Sequence, residues 1–393
     1  MSATVSTSTT QRDIPARVTS LGWILLLIGI VTVAAGYLVD PKQAAFHNII
    51  GFLFVTSIGA GSIFLIALEY IAGAVWSVPF RRVTESLAGI IPFAALLAVP
   101  MLFNMHDLFH WTHADAVASD ELLRAKAPYL NVQFFLIRFV AIFVIWTLFS
   151  WLFARNSRKQ DISRDPKLTT TNIRLAAIFM PVFAITITLT AVDWAMSLEP
   201  HWFSTILGVY YFSGSVLAAL AALTYIVVTL MQGGYLPGIR RDHLYSLGAL
   251  MFAFTNFWAY IAFSQFLLIW YANLPEETIW FLARWKNGWE IVSVLLIVVR
   301  FAVPYIVLLS QDSKMDPRRL KFIGLWLLAA HLLDLYWLVM PTFSPDVTLS
   351  WMLPGFILLA IGLIIVLVTL NMKRYNLMPV GDPKLTRGLE FHL

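Results

Sequence analysis

The chain has 393 residues, of which 59% are hydrophobic and only 12% charged, against about 45 to 50% and about 25% in soluble proteins. No single soluble core hides that much apolar surface, so an ordinary globular enzyme is excluded. The absence of cysteine excludes disulfides, thiolate nucleophiles and Cys-ligated zinc or iron–sulfur clusters. The surplus of 27 Lys and Arg over 22 Asp and Glu is what membrane chains place in cytoplasmic loops, and it does not imply nucleic acid.

Residues 1–19 are rich in Ser and Thr, with Arg12 and Arg17, and read as a mobile cytoplasmic tail. They are not a signal peptide, because the apolar run behind them is too long for an h-region and lacks a small-x-small cleavage site. Hydropathy then predicts helices at 20–39, 48–76, 84–105, 130–154, 172–196, 205–232, 245–270, 287–311, 319–339 and 350–371. Each is long enough to cross about 30 Å of hydrocarbon. The expected fold is an all-α polytopic membrane protein whose ten-helix membrane domain runs from 20 to 371.

Between the spans, 18 Lys and Arg fall on the side of the termini and 5 on the other, so both termini are expected in the cytoplasm. Residues 372–393, with Pro379 and Pro383, read as an extended cytoplasmic tail. The longest outer loop, 106–129, carries Asp107, Asp115, Asp120 and Glu121 and is the best outside docking surface. Trp111, Trp202, Trp270, Tyr271, Trp280, Trp285 and Trp351 fall near the outer boundary and read as interfacial anchors.

Helix 5 contains Asp193 and is followed by Pro200, and helix 9 contains Asp334 and is followed by Pro341, with equal spacing. QFFLIRF in helix 4 and LLIVVRF in helix 8 each carry one arginine. The matching segments predict a duplicated four-helix unit: helices 2–5 (48–196) and helices 6–9 (205–339), with helices 1 and 10 at the flanks. An even number of helices per unit gives parallel repeats about an axis along the membrane normal.

Ionisable side chains inside a span cost several kcal/mol unless paired or hydrated, so they are functional candidates. Arg138, Asp193, Glu290, Arg300, His331 and Asp334 fall in the outer half or near the middle. Thr186, Thr190, Asp193 and Ser197 share one face of helix 5, and Asn256, Tyr260 and Ser264 share one face of helix 7. These stripes are candidates for a wet half-channel from the outside. Glu69, with Ser62 on the same face, is the acid best placed for an inner exit.

One reading is a proton route in which Asp193, His331, Asp334 and Glu69 exchange protons beside Arg138 and Arg300. The other is a pair of structural ion pairs, Arg138 with Asp193 and Arg300 with Asp334. Of the eight histidines only His331 reads as deep, so no pair at matching depth is available for a bis-histidine haem. His106, His110 and His113 have helical spacing beside Asp107, a weak metal signal outweighed by ordinary interfacial histidines, so no metal site is assigned.

The runs NMHDLFHW from Asn104, DWAMSLEPHWFST from Asp193 and HLLDLYW from His331 together resemble the ActF family, ten-helix membrane proteins of bacterial alternative complex III, a quinol:cytochrome c (or cupredoxin) oxidoreductase. The chain is more distantly similar to NrfD-like membrane subunits of polysulfide-reductase-type enzymes. The resemblance implies a multi-pass subunit of the bacterial cytoplasmic (inner) membrane. Its implied partners are a related ten-helix quinol-binding subunit, an iron–sulfur subunit, multihaem and monohaem cytochromes c, and small membrane-anchored subunits, with lipids around them.

The same resemblance implies haem c and iron–sulfur clusters in the complex, none of them bound by this chain, and menaquinol or another quinol as the reductant. His106, Asp107, Arg138 and Asp193 are then the candidate quinone contacts. On this reading the chain is a non-haem subunit contributing scaffold, quinone contact and a proton pathway. A secondary transporter with two parallel repeats and a purely structural anchor stay open.

Overall fold

A computed structural model describes residues 15–393; residues 1–14, with Arg12, lie outside the described residues. Among the described residues, ten helices are long and apolar enough to cross a membrane. Helices 1 to 5 are Ala16–Val39, Pro41–Ala72, Val78–Phe103, Val132–Ser163 and Lys167–Leu198. Helices 6 to 10 are Leu207–Gln232, Arg241–Ala272, Trp289–Leu308, Pro317–Phe343 and Met352–Arg374.

Local chemistry sets the ends where hydropathy does not. Helix 2 starts at Pro41 rather than 48 because the Asp40 carboxylate accepts a hydrogen bond from the Gln43 N–H at 2.9 Å and Pro41 fills the first helical position. It stops before 76 because Gly73 turns left-handed at φ 63°. His47 therefore lies inside the helix, as buried as His331. Helix 4 runs past 154 to Ser163, its last turns polar, until Arg164 adopts φ 52°. Helix 1 begins at Ala16, so residues 16–19 belong to it and not to a tail.

Helices 2 and 6 form the centre. Helix 2 packs against helices 3, 5, 6, 9 and 10, and helix 6 against helices 2, 5, 7 and 9. Their close approach needs Gly61, where a Cβ would stand 2.5 Å from the Ser215 carbonyl oxygen.

Helix 1 packs chiefly on helix 10. A Cβ at Gly29 would sit 2.4 Å from the Leu359 amide nitrogen, and one at Gly362 would sit 2.4 Å from that of Leu26. Gly29→Ile should therefore cost about 1 to 3 kcal/mol through overpacking. A lipid-facing control, Val31→Ala, at a site 68% exposed, should leave thermal unfolding in detergent nearly unchanged. Equal unfolding of the two variants would refute the close helix pair.

One end of the structure, the loop end, gathers the connections 104–131, 199–206 and 273–288, tied by Lys126 to the Pro200 carbonyl and Trp202 to the Glu277 carbonyl. The opposite end, the tail end, receives residues 376–391. These residues are not an extended tail. Gly381 N–H donates to Asp161, Lys384 Nζ to the Gly73 carbonyl, and His243 contacts the Gly388 carbonyl. His243 is fully buried there.

The interfacial-anchor reading also needs correction. Trp270, Tyr271, Trp285 and Trp351 are exposed, but Trp111, Trp202 and Trp280 are core residues, with the Trp202 and Trp280 rings stacked at 4.5 Å.

Candidate functional site

Arg138 and Asp193 meet between helices 4 and 5. Arg138 Nε and Nη2 donate to the two Asp193 oxygens at 2.9 and 2.8 Å, and Nη1 donates to the Tyr129 carbonyl at 2.9 Å. The Tyr129 hydroxyl donates to the same carboxylate at 3.0 Å, and its ring lies 3.8 Å from the guanidinium carbon. Burial raises the Tyr129 phenol above its usual range, so the phenol keeps the proton it donates. This first centre is a bidentate ion pair with all three guanidinium nitrogens used, the strongest geometry open to such a pair.

Its counterpart lies between helices 6, 8 and 9. Arg300 Nη2 stands 3.0 Å from His331 Nδ1 and 3.4 Å from Asp334 Oδ2, and the Tyr210 hydroxyl donates to Asp334 Oδ1. A guanidinium only donates, so His331 Nδ1 is the acceptor and the ring proton sits on Nε2. His331 Nε2 has no partner among the described residues, and neither do Arg300 Nε and Nη1. The two centres share Arg, Asp and Tyr but differ in satisfaction: the first is saturated, and the second leaves three buried nitrogens unpaired.

The local fold explains how Arg300 gets there. Pro304 has no N–H and its ring crowds the carbonyl four residues back, which is that of Arg300. The helix widens to a single π turn over Val298–Ala302, a relief of this strain that recurs at functional sites, and Arg300 turns inward to 1% exposure.

Glu69 is not a lone acid. Arg81 Nε pairs with it at 2.5 Å, and Arg81 Nη1 pairs with Asp382 from the C-terminal segment at 2.5 Å. Arg82 bridges Glu85 at 2.9 Å and Asp161 at 2.6 Å. By hydropathy Arg81 and Arg82 fall in a cytoplasmic loop, yet both are buried in helix 3. The signal available was Glu85 three residues after Arg82; Asp161 and Asp382 carried none.

Arg284, a loop cation by hydropathy, is fully buried as well. Pro341 leaves the Trp337 carbonyl without its helical donor, and Arg284 Nε supplies one at 3.2 Å while Nη2 donates to the Leu338 carbonyl at 2.9 Å. Burial pulls this guanidinium down to about 10, so it stays charged at neutral pH.

The helix 5 stripe faces inward. Thr186 and Thr190 are buried and donate back to the Val182 and Thr186 carbonyls, while Thr186 also accepts from Trp146 Nε1 at 2.9 Å. The helix 7 stripe faces the other way: Tyr260 is 66% exposed, and Asn256 and Ser264 are half-buried. Asn256 and Tyr260 nevertheless line a cavity between helices 6, 7, 8 and 9. The buried face of helix 7 carries Thr255, Trp258 and Gln265 instead.

His106 and Asp107 are exposed on a short helix, Met105–Leu108, and share no hydrogen bond with the buried Arg138–Asp193 pair. His106 Nδ1 contacts Thr112 Oγ1 and His113 Nε2 contacts the His106 carbonyl. Among the described residues no three His, Asp or Glu side chains converge as a metal set.

A seam of buried hydroxyls joins helices 2 and 6 between the second centre and Glu69. Ser57 donates to the Tyr211 hydroxyl at 3.1 Å, and Thr56 and Thr224 have hydroxyls without partners among the described residues. Ser62 and Glu69 follow toward the tail end, both buried. No family model matches the chain, and no curated protein matches it.

Proposed function

We propose that this chain is an integral membrane subunit of a respiratory quinol:cytochrome c (or cupredoxin) oxidoreductase of the alternative complex III type, serving as scaffold and proton conductor. The helix contacts support two four-helix units, helices 2–5 and 6–9, with the helix 1–helix 10 pair outside. The excess of Lys and Arg near the tail end supports placing both termini in the cytoplasm.

The observation that carries the proton role is the second centre, where Arg300 and His331 keep three unpaired nitrogens beside Asp334. A saturated pair holds helices in register; an unsaturated buried one has positions for water and for a moving proton. The first centre is accordingly the structural pair. The proton enters from the loop end at Tyr210 and Asp334, follows the hydroxyl seam between helices 2 and 6, and reaches Glu69. Quinol is oxidised by the assembled complex, with haem c and iron–sulfur clusters held by partner subunits.

Two measurements test this. Gentle detergent extraction should bring down reducible c-type haem in stoichiometric amount; a colourless preparation of this chain alone would refute membership of such a complex. In the assembled complex, Asp334→Asn should slow the proton movement coupled to quinol oxidation at least about tenfold, a barrier change of about 1.4 kcal/mol, with assembly retained. Wild-type proton movement in that variant would leave only the scaffold role.

A further inference from the structure

Helices 3 and 4 leave a groove of about 480 Å³ between them, walled by Pro92 and Ala95 from helix 3 and by Val140, Val144, Leu148 and Trp151 from helix 4. These four helix 4 residues are 47 to 58% exposed, so the groove faces lipid. From Phe139, which lines its mid-membrane end, to Trp151, helix 4 rises about 18 Å, close to half of a bilayer's hydrocarbon, about 30 Å thick. The groove is one leaflet deep, which suits an acyl chain.

The same face of helix 4 then changes character. Arg155 and Arg158 follow Trp151 at intervals of four and three, with Arg155 over the Trp151 ring at 4.9 Å and Arg158 over the Tyr375 ring at 3.5 Å. Two cations at the tail-end rim of a lipid-facing groove are placed for an anionic headgroup.

Behind them, helices 3 and 4 and the end of helix 10 enclose a niche of about 10 Å³, whose lining includes Arg82, Glu85, Arg158 and Asn371. Arg82 and Glu85 are 4% and 3% exposed and pair through Nη1 and Oε2. Arg82 Nε, Glu85 Oε1 and Arg158 Nε, however, have no partner among the described residues. The space is that of one water or one hydroxyl. Free donors beside a free carboxylate oxygen call for a group that both accepts and donates. A phosphodiester only accepts, so Glu85 keeps it out of the niche and on the rim.

We propose that this crevice binds one anionic phospholipid whose headgroup carries a free hydroxyl, the phosphatidylglycerol type. An acyl chain fills the groove and the phosphate lies on Arg155 and Arg158. The hydroxyl enters the niche, accepting from Arg82 Nε and donating to Glu85 Oε1. The site is at the tail end, the side that the positive-inside bias assigns to the cytoplasm, and it is independent of the second centre and of membership of any complex.

The test uses the full chain with whatever polypeptides accompany it, delipidated in detergent and titrated with single lipids under native mass spectrometry. Dioleoyl phosphatidylglycerol should bind saturably, and about fivefold more tightly than phosphatidylmethanol, which has the same charge and no hydroxyl, the scale of one net hydrogen bond. It should bind at least about tenfold more tightly than phosphatidylethanolamine. Equal binding of phosphatidylmethanol would leave the niche to water and overturn the hydroxyl assignment, and equal binding of phosphatidylethanolamine would overturn the anionic one.

Arg155→Gln with Arg158→Gln should weaken phosphatidylglycerol at least about tenfold, and Ala95→Phe, which narrows the groove, should weaken phosphatidylglycerol and phosphatidylmethanol alike. Arg318→Gln with Arg319→Gln, which removes two exposed tail-end cations on helix 9, should leave binding unchanged. Equal weakening by the two double variants would reduce the effect to diffuse charge and overturn the site. Wild-type affinity in Arg155→Gln with Arg158→Gln, or in Ala95→Phe, would overturn it too. The lipid comparisons on wild type decide the case even where a variant fails to fold.

Discussion

Arg138→Leu is expected to lower folding stability by about 3 to 5 kcal/mol, because it strands the Asp193 carboxylate in a site that is 2% exposed. The loss exceeds one ion pair's worth, since Arg138 also donates to the Tyr129 carbonyl that anchors the end of the 104–131 connection. The double variant Arg138→Leu with Asp193→Leu should recover much of the loss, because a well-packed apolar replacement removes both desolvation costs. Denaturant titration of the detergent-solubilised chain separates the cases. Additive losses in the double variant would show that the two residues do not act as a pair. The comparison variant Asp334→Asn should be milder, because the second centre is only partly hydrogen-bonded.

Gly381→Val is expected to release the C-terminal segment and to cost about 3 kcal/mol or more, on the scale of a buried pair broken on one side. Any Cβ at Gly381 would lie 1.9 Å from the Gln160 carbonyl oxygen, a backbone atom inside helix 4 that cannot move aside. Undocking takes Asp382 away from Arg81 and the Gly381 N–H away from Asp161. Limited proteolysis should then cut between helix 10 and the C-terminus far faster than in wild type. Asp382→Asn, which removes the charge without the clash, should keep the segment docked but lower stability. Wild-type protease resistance in Gly381→Val would refute the docked segment.

The ten spans were legible because hydropathy reports burial in lipid directly, and the Arg138–Asp193 and Arg300–Asp334 juxtapositions were legible because unpaired charges are rare in such spans. The cluster at Glu69 was not. Its partners Asp161 and Asp382 come from distant segments that read as polar and solvated, and Arg81 and Arg82 obey the same charge rule as true loop residues. Arg284 was hidden the same way, its role depending on a carbonyl freed by Pro341 on another helix. Helix 7 shows a different limit. An i, i+4 pattern says which residues share a face, not where that face points, and Asn256, Tyr260 and Ser264 turned out to be the outward set. Gln265 sat in a run of apolar residues whose buried spacing, Thr255, Trp258, Ile261, Gln265 and Ile269, was readable only once the inward face was fixed.

Helix 1 hides only Thr19, Gly22, Gly29 and Gly36, and its principal contact is helix 10. During synthesis that partner leaves the ribosome only after the other nine described spans. The first helix must therefore wait in the bilayer with its glycine groove filled by lipid while eight others assemble beside it. Closing that groove is then a late step of assembly, and a chain cut before residue 352 would leave the first helix loose and uncover the face of helix 2 that helix 10 packs on.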